Sequence, residues 1–192
     1  MSKILIYPNK ILRKKTKEIV KIDEQLIKEI DLLSKELAGA ENGAGLAAPQ
    51  IGISKRFFGI KDGEKKVKVF INPKIKAASG ERVYPMMVKE KSVDTKSSTE
   101  TMEDFLEGCL SFPDFFGTVK RWLKIKVEWM ELIDKKFVPK VQELTGFEAI
   151  VWQHESDHLE GKLFVDYIKL EGGKFYKWVG EKMVEWDVNK VI

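Results

Sequence analysis

The spacing of apolar residues changes along the chain from a helical pattern to a strand pattern and back, and this change restricts the possible folds most. Between Asp23 and Gly39 apolar side chains recur every three or four residues, which predicts a helix with Asp23 as its N-cap. Residues 56–143 have the pattern of short strands, clearest at 120–130, where apolar and charged residues alternate. Helical spacing returns over 145–158 and again over 173–187. We therefore expect an α+β fold, with antiparallel β-sheets packed around a central helix and with an N-terminal and a C-terminal helix.

Turn residues divide the strand region into shorter segments. Turns are expected at Asp62-Gly63, at Ser79-Gly80 and over 133–135. The predicted strands are residues 57–60, 67–71, 82–88, 120–130 and 137–143. Residues 89–104 are polar and offer little to bury, so we interpret them as a flexible insertion that forms a solvated loop rather than a lid. The length of the chain predicts a single domain over residues 1–192.

Composition excludes several classes of protein. Basic side chains number 34 and acidic side chains 30, and few of the basic ones are Arg, so no specific nucleic-acid partner is expected. No apolar run approaches the roughly 20 residues that a membrane span needs. Cys109 is the only cysteine, which excludes an intrachain disulfide and favours a reducing compartment. We expect a cytoplasmic monomer without a membrane partner.

The second predicted helix contains an HExxH segment, formed by His154, Glu155 and His158. Positions four apart lie on one face of a helix, so the two imidazoles could bind one cation while Glu155 serves as a base for water. The alternative is a pair of surface histidines on a charged helical turn. Apolar residues precede the motif at helical spacing and indicate that this face is buried, which favours the metal site.

A catalytic metal site needs a third protein ligand, and the residues alone leave its identity open. The chain has no further histidine. Asp166 and Glu171 follow the motif and could supply a carboxylate, whereas Cys109 could supply a thiolate suited to Fe²⁺ or Zn²⁺. A lone cysteine is more often an inert buried residue.

Residues 43–50 form a segment rich in small side chains. Such residues allow a backbone to approach a ligand closely, so Gly45 could present its N–H to an oxyanion and Gln50 could add an amide donor. A tight turn packed under a helix explains the same residues equally well.

Three segments in this order, residues 43–50, 107–111 and 153–161, closely resemble the signature of the peptide deformylase family. They carry a GxGLAAPQ block, an EGCLS block and a QHExDHLxG block. The resemblance implies that Cys109, His154 and His158 bind one divalent metal. The metal would be Fe²⁺ in the cell, often replaced by Zn²⁺, Ni²⁺ or Co²⁺ in purified protein.

The resemblance also implies the reaction, which is hydrolysis of the N-formyl group from formyl-methionyl nascent chains with release of formate. Glu155 would be the general base and acid. The Gln50 side chain and the Leu110 backbone N–H would hold the formyl oxygen, with Gly45 nearby.

The methionine side chain of such a substrate needs an apolar pocket. Phe147, Ile150 and Val151 form a stripe leading to His154, and we predict that they line this pocket, with Ala44 and Phe105 opposite. Glu107 is expected beside the substrate, paired with Arg121 to brace the cysteine segment. The chain departs from the family pattern at Ala44, where a β-branched residue is usual, and at Phe116, where many members have a basic residue.

Two other functions remain open at this point. An HExxH metallopeptidase with a carboxylate as third ligand would keep its metal and activity without Cys109. A non-catalytic peptide-binding relative would tolerate the loss of Glu155. The C-terminal helix could dock on the ribosome exit region, but its charges are nearly balanced, so packing onto the body of the protein is favoured.

Overall fold

The computed structural model describes residues 4–62, 66–89 and 101–192. The α-helices in this part of the chain are α1 (Glu24–Gly39), α2 (Gly146–Leu159) and α3 (Phe164–Glu171). The strands in the same part are β1 (Gly45–Ala47), β2 (Phe57–Asp62), β3 (Lys66–Val83), β4 (Met86–Lys89), β5 (Thr101–Asp104), β6 (Glu107–Cys109), β7 (Phe112–Gly117), β8 (Arg121–Ile133), β9 (Lys136–Thr145), β10 (Phe175–Val179) and β11 (Lys182–Glu185). None of these helices combines the length and the apolar character needed to cross a bilayer.

Two antiparallel sheets contact α2 from different sides. One has five strands in the order β1-β2-β3-β8-β9, and the other has four in the order β11-β10-β7-β6. Trp152 of α2 packs against the five-stranded sheet, where its ring contacts Phe58 and Phe70 edge-on. His154 of α2 reaches the other sheet, with Nδ1 3.0 Å from the Glu107 carboxylate in β6. The predicted architecture of antiparallel sheets around a central helix is confirmed.

The N-terminal helix covers the opposite face of the five-stranded sheet. Its N-cap is Asp23, whose Oδ1 accepts a hydrogen bond from the backbone N–H of Leu26 at 2.9 Å, and the helix ends at Gly39 as predicted. Fully buried Leu33 of α1 packs in one cluster with Phe57 of β2. Phe57 and the adjacent Phe58 point to opposite faces because successive side chains of a strand alternate.

The prediction of a C-terminal helix over residues 173–187 is wrong. Residues of this segment form β10 and β11, joined by a two-residue loop in which Gly180 has φ +62°. The strand sequence Phe-Tyr-Lys-Trp-Val is rich in residues that favour strands, and a glycine first in such a loop is typical of a II′ hairpin turn. β10 extends the four-stranded sheet by pairing with β7, which is a tertiary contact that helical spacing cannot reveal.

Turn predictions have mixed outcomes. The turn after Ile133 is confirmed, with Asp134 and Lys135 both at positive φ between β8 and β9. Ser79-Gly80 is not a turn, because β3 continues through it with an irregular register against β8. Gly80 has φ +80° and lies within this bulge. The turn predicted at Asp62-Gly63 reaches residues outside the described range.

The predicted insertion at 89–104 begins and ends in strands. β4 and β5 pair antiparallel, from Met86 opposite Asp104 to Lys89 opposite Thr101. Residues 90–100, to which most of the insertion belongs, lie outside the described residues. Sequence reasoning also missed α3, since its eight residues span too few turns for a periodic pattern to stand out.

Candidate active site

The HExxH segment lies in the C-terminal part of the buried helix α2, with His158 in its last turn. His154 and His158 are one turn apart on the same face, and their ring centroids are 5.1 Å apart. Glu155 is 4% exposed and His158 is 1% exposed. The structure therefore brings the motif into the interior and excludes the alternative of two surface histidines.

Cys109, at the end of β6, lies close to both histidines. Its Sγ is 3.3 Å from Nε2 of His158, and the donor atoms of Cys109, His154 and His158 all lie within 4.8 Å of one another. Three ligands at about 2.0–2.3 Å from one ion have separations of this order. Among the described residues, His158 Nδ1 and Glu155 Oε2 are buried without a hydrogen-bond partner, whereas buried polar atoms are usually paired. The donor set fits a single divalent transition metal.

A buried ion pair holds His154 in a fixed orientation. Arg121 donates from Nε and Nη2 to the two carboxylate oxygens of Glu107, at 2.7 and 2.9 Å, which confirms the predicted pairing. Arg121 Nη1 also donates to Asp157 at 2.6 Å. Glu107 Oε2 also lies 3.0 Å from His154 Nδ1. Because a carboxylate can only accept a hydrogen bond, Nδ1 carries the proton in this contact. In the neutral imidazole the lone pair then lies on Nε2, and His154 could bind a metal through that atom.

Burial and charge shift the pKa values of the site carboxylates in opposite directions. Burial alone would raise the pKa of Glu107, but the charge and hydrogen bonds of Arg121 outweigh it and lower the pKa well below the usual range. Burial dominates at Glu155 and raises its pKa from 4.5 to about 7. Burial, followed by the charge of His154, lowers the pKa of His158. Glu107 is thus an anion at neutral pH, whereas Glu155 can take up and release a proton there.

Gly45 of β1 lies directly against Glu155. A Cβ added to Gly45 would stand 2.5 Å from Glu155 Oε1 and 2.8 Å from both Cδ and Cγ. The glycine therefore makes room for the carboxylate. Leu110 lies in the turn between β6 and β7, and its side chain rests against Gly43.

Gln50 is held in place at both ends of its amide. Its Oε1 accepts from the backbone N–H of Ala47 at 2.8 Å, and its Nε2 donates to Ser111 Oγ at 3.2 Å and lies 3.6 Å from Cys109 Sγ. With 1% exposure, the amide cannot rotate freely, so its N–H groups remain directed at the cysteine side of the site.

A cavity of about 590 Å³ opens beside these groups. All of the residues predicted to form the methionine pocket line this cavity. They are Ala44, Phe105, Phe147, Ile150 and Val151, and Glu107 lines it as well. The rings of Phe105 and Phe147 contact each other edge-on at 5.9 Å. Glu107 lines the cavity without a free carboxylate oxygen, because Arg121 and His154 bind both of its oxygens.

The carboxylates that could have replaced Cys109 are engaged elsewhere. Asp166 Oδ2 accepts from the backbone N–H of Leu163 and pairs with Arg13. Glu171 pairs with Arg82 at 2.7 Å. Within the described residues, the only group of three potential ligands is Cys109 with the two histidines.

Three residues of the site were missed by the sequence reasoning. Asp157 connects Arg121 to the hydroxyl of Tyr167, which donates to Asp157 Oδ1 at 2.8 Å. Ser111 contacts Gln50. Trp178 of β10 lines the cavity. The first two stand within the conspicuous motifs and could have been singled out there, whereas Trp178 was assigned to a helix.

The fold and the site together define a class of protein. The buried HExxH helix lies between two antiparallel sheets, with a cysteine beside both histidines and a glutamate facing a cavity. This is the arrangement of a metal-dependent hydrolase with a single metal centre.

Comparisons with known proteins identify the family within this class. The family profile described as polypeptide deformylase matches residues 1–173. A peptide deformylase of Thermotoga neapolitana is 38% identical over 169 residues, which cover 88% of each chain. The crystal structure of the Thermotoga maritima peptide deformylase superposes with a TM-score of 0.67 at 35% identity, covering 87% of this chain and 97% of that one.

A further structural match is the peptide deformylase of Synechococcus elongatus solved in complex with actinonin. It has a TM-score of 0.66 at 31% identity and covers 85% of this chain and 76% of that one. The chain belongs to the polypeptide deformylase family, which consists of metal-dependent hydrolases that remove the N-formyl group from nascent peptides.

Proposed function

We propose that this protein hydrolyses the N-formyl group of formyl-methionyl peptides with Cys109 Sγ, His154 Nε2 and His158 Nε2 as ligands of one divalent metal and Glu155 as general base and acid. The observation that carries the proposal is the convergence of these three donor atoms within 4.8 Å, beside a cavity that Cys109, His154 and Glu155 line. Thiolate and imidazole donors suit Fe²⁺, which we propose for the cell, and Zn²⁺, Ni²⁺ or Co²⁺ in purified protein.

The metal, when bound, supplies Lewis acidity that makes water a nucleophile near neutral pH. Glu155 takes the proton of the attacking water on its carboxylate, and a pKa of about 7 allows the same group to return that proton to the amine nitrogen as the C–N bond breaks. The formyl carbon takes up the oxygen of the attacking water and leaves as formate. The peptide leaves with a free amino group.

Two donors are proposed to stabilise the negative charge that develops on the formyl oxygen. The first is Gln50 Nε2, which is already fixed 3.6 Å from Cys109 Sγ. The second is the backbone N–H of Leu110, the residue that follows Cys109. Each such fixed donor contributes a factor of about 10²–10³ in rate. Gly45 supports this arrangement by leaving room for the Glu155 carboxylate.

The methionine side chain is proposed to occupy the inner, apolar part of the cavity. Ile150 and Val151 are 5% and 7% exposed and precede His154 on the same helix. Phe147 and Phe105 form an aromatic pair farther along the wall, and Ala44 lies beside Gly45. An unbranched thioether side chain fits such an irregular apolar pocket.

We further propose that the protein acts as a monomer in the cytoplasm on nascent chains. The proposal includes no docking on the ribosome, because the C-terminal segment that suggested it is a hairpin whose Phe175 is buried against Phe164. A metallopeptidase site with a carboxylate ligand is not supported either, since Asp166 and Glu171 bind other groups.

The test is formate release from a formyl-methionyl peptide by anaerobically prepared Fe²⁺ protein. Glu155→Gln should lower kcat by about 10²–10⁴ while retaining the metal, because it removes the proton acceptor and no ligand. Cys109→Ala should lose both metal and activity. Glu148→Gln is the matched control, since Glu148 is an exposed carboxylate in the first turn of the same helix.

Three results would contradict the proposal. Full activity in Glu155→Gln would remove Glu155 from the mechanism. Stoichiometric metal in Cys109→Ala would place the third ligand elsewhere. Absence of formate release by wild-type protein that holds one equivalent of metal would mean a different reaction.

A further inference from the structure

We propose that Tyr167 of α3 is a positioning residue for the metal ligand His154. Its hydroxyl acts through two intermediate side chains, Asp157 and Arg121, which fix the carboxylate in contact with His154. The inference rests on the proposed function, because His154 is one of the three proposed metal ligands. It gives a role to α3, a fully described helix of which no residue lines the cavity.

The contacts that orient His154 continue beyond its direct partner. Glu107 Oε2 lies 3.0 Å from Nδ1 of His154, and Arg121 binds both oxygens of Glu107 at 2.7 and 2.9 Å. The remaining guanidinium nitrogen of Arg121, Nη1, donates to Asp157 Oδ2 at 2.6 Å. Because the guanidinium group is planar and rigid, a movement of Asp157 also changes how Arg121 meets Glu107.

Tyr167 binds the other oxygen of Asp157. Its hydroxyl donates to Oδ1 at 2.8 Å, so both oxygens of this carboxylate are hydrogen-bonded. A carboxylate held at one oxygen only can rotate, because its terminal torsion has broad energy wells. The second hydrogen bond therefore fixes the plane of Asp157 and with it the position of Arg121. Burial, together with the charge of Asp157, raises the pKa of the Tyr167 hydroxyl, which thus keeps its proton at neutral pH.

The charged side chains between Tyr167 and His154 are buried. The Arg121 and Glu107 side chains are each 3% exposed, and that of Asp157, which lies in α2 between the two histidines, is 16% exposed. Hydrogen bonds between groups buried in this way are strengthened by the low local dielectric constant and influence one another. The loss of one contact at Asp157 should therefore affect the next contacts along the network.

Two arginines hold the ring of Tyr167. The guanidinium carbons of Arg121 and Arg82 lie 5.1 and 5.2 Å from the ring centre, within the range of a cation–π contact. Arg82 is itself fixed, because Nη1 pairs with Glu171 at 2.7 Å and Nη2 donates to the backbone oxygen of Lys120 at 2.8 Å. Tyr167 and Glu171 lie one turn apart on the same face of α3. This helix therefore supplies both the hydroxyl and the partner of Arg82.

The expected effect is smaller than that of a direct partner of a ligand. Substitution of a side chain that hydrogen-bonds to a metal ligand lowers metal affinity or activity about 10–100-fold. Tyr167 acts through two intermediates, so we expect a loss of about three- to tenfold when its hydroxyl is removed.

The test uses Tyr167→Phe, which removes the hydroxyl and keeps the ring. The dissociation constant for Zn²⁺ is measured by competition with a chelating indicator, and kcat is measured for formate release by the Fe²⁺ protein. The dissociation constant should rise about three- to tenfold, and kcat should fall by a similar factor. Arg82→Met should change both quantities in the same direction and by less, because it loosens the ring and leaves the hydroxyl present.

Nuclear magnetic resonance separates positioning from a general loss of stability. The chain has two histidines, so Zn²⁺ protein labelled with ¹⁵N at histidine gives at most two Nδ1–H signals. In Tyr167→Phe the Nδ1–H of His154 should exchange with water faster, because its acceptor Glu107 is held less firmly. A general loss of stability would also accelerate exchange of the backbone amides of α1, whereas a positioning effect leaves them unchanged.

Tyr176→Phe is the matched control. Tyr176 is a half-buried tyrosine of β10 that contributes no atom to the contacts described above, so its variant should keep the Zn²⁺ affinity and the His154 signal. Asp157→Ala removes the acceptor of the Tyr167 hydroxyl. Addition of Tyr167→Phe to that variant should change the Zn²⁺ affinity by less than about twofold, since the hydroxyl has lost its route to Arg121.

Wild-type Zn²⁺ affinity and wild-type exchange of the His154 proton in Tyr167→Phe would overturn the inference. Equal changes in Tyr176→Phe would also overturn it, as would a full additional loss in the Asp157→Ala background, because the hydroxyl would then act by another route. Absence of formate release by metal-loaded wild-type protein would contradict the proposed function alone, because metal affinity and proton exchange are measured without substrate.

Discussion

A single methyl group at Gly45 should disable the protein by displacing Glu155. In Gly45→Ala the new Cβ would stand 2.5 Å from Glu155 Oε1, whereas uncrowded contacts of this kind are about 3.5 Å. The carboxylate must therefore move by about 1 Å. Rotation of its end does not relieve the contact, because Cγ and Cδ are also only 2.8 Å from the new atom.

The size of the effect follows from this displacement. A misplacement of about 1 Å in a catalytic group lowers the rate by about 10²-fold. The backbone should tolerate alanine, because Gly45 is not among the glycines at positive φ. The loss should therefore fall on kcat, with the fold and the three potential metal ligands retained.

The assay combines kcat for formate release with metal content and thermal unfolding. Gly39→Ala is the control, since an added Cβ there has nothing within 4 Å. Combining Gly45→Ala with Glu155→Asp, which shortens the side chain by one methylene, should cost less than the sum of the two single losses. Wild-type kcat in Gly45→Ala, or strict additivity in the double variant, would refute the reasoning.

Three further predictions concern the buried charges and the pocket. Arg121→Met leaves the Glu107 carboxylate buried without its main partner. It should therefore lower the free energy of unfolding, measured by urea titration at pH 7, by about 3–5 kcal/mol. A negligible change would count against the ion pair. Burial raises the pKa of Glu155 from 4.5 to about 7 in the folded state. An acid with a pKa raised in this way destabilises the fold as the pH rises between these two values. In metal-free protein, the free energy of unfolding of Glu155→Gln relative to that of the wild type should therefore rise by about 3 kcal/mol between pH 4 and pH 8. If urea unfolding gives the same difference at both pH values, that result would be evidence against the pKa shift. Val151→Asp places a charge in the apolar wall of the cavity. It should raise KM for formyl-methionyl peptides at least about tenfold and leave the metal content unchanged. An equal loss of metal would contradict the place of Val151 in the methionine pocket.

Local patterns in the sequence were sufficient to determine α1, α2 and the motif residues. The cap at Asp23, the end at Gly39 and the spacing of His154 and His158 depend on contacts within four residues, which the order of amino acids specifies directly. The α+β class followed from the same local periodicity. The three motifs also identified the candidate ligands, because their residue types and order are specific together.

Contacts between distant segments were decided only by the tertiary structure. Cys109 rather than Asp166 lies beside the histidines because β6 passes along α2, and spacing in the sequence left both possible. Residues 175–185 form a hairpin because β7 offers an edge for β10, a partner some 60 positions earlier in the chain that local periodicity cannot register. The raised pKa of Glu155 likewise arises from burial among residues far apart in the sequence, and burial is a property of the folded chain.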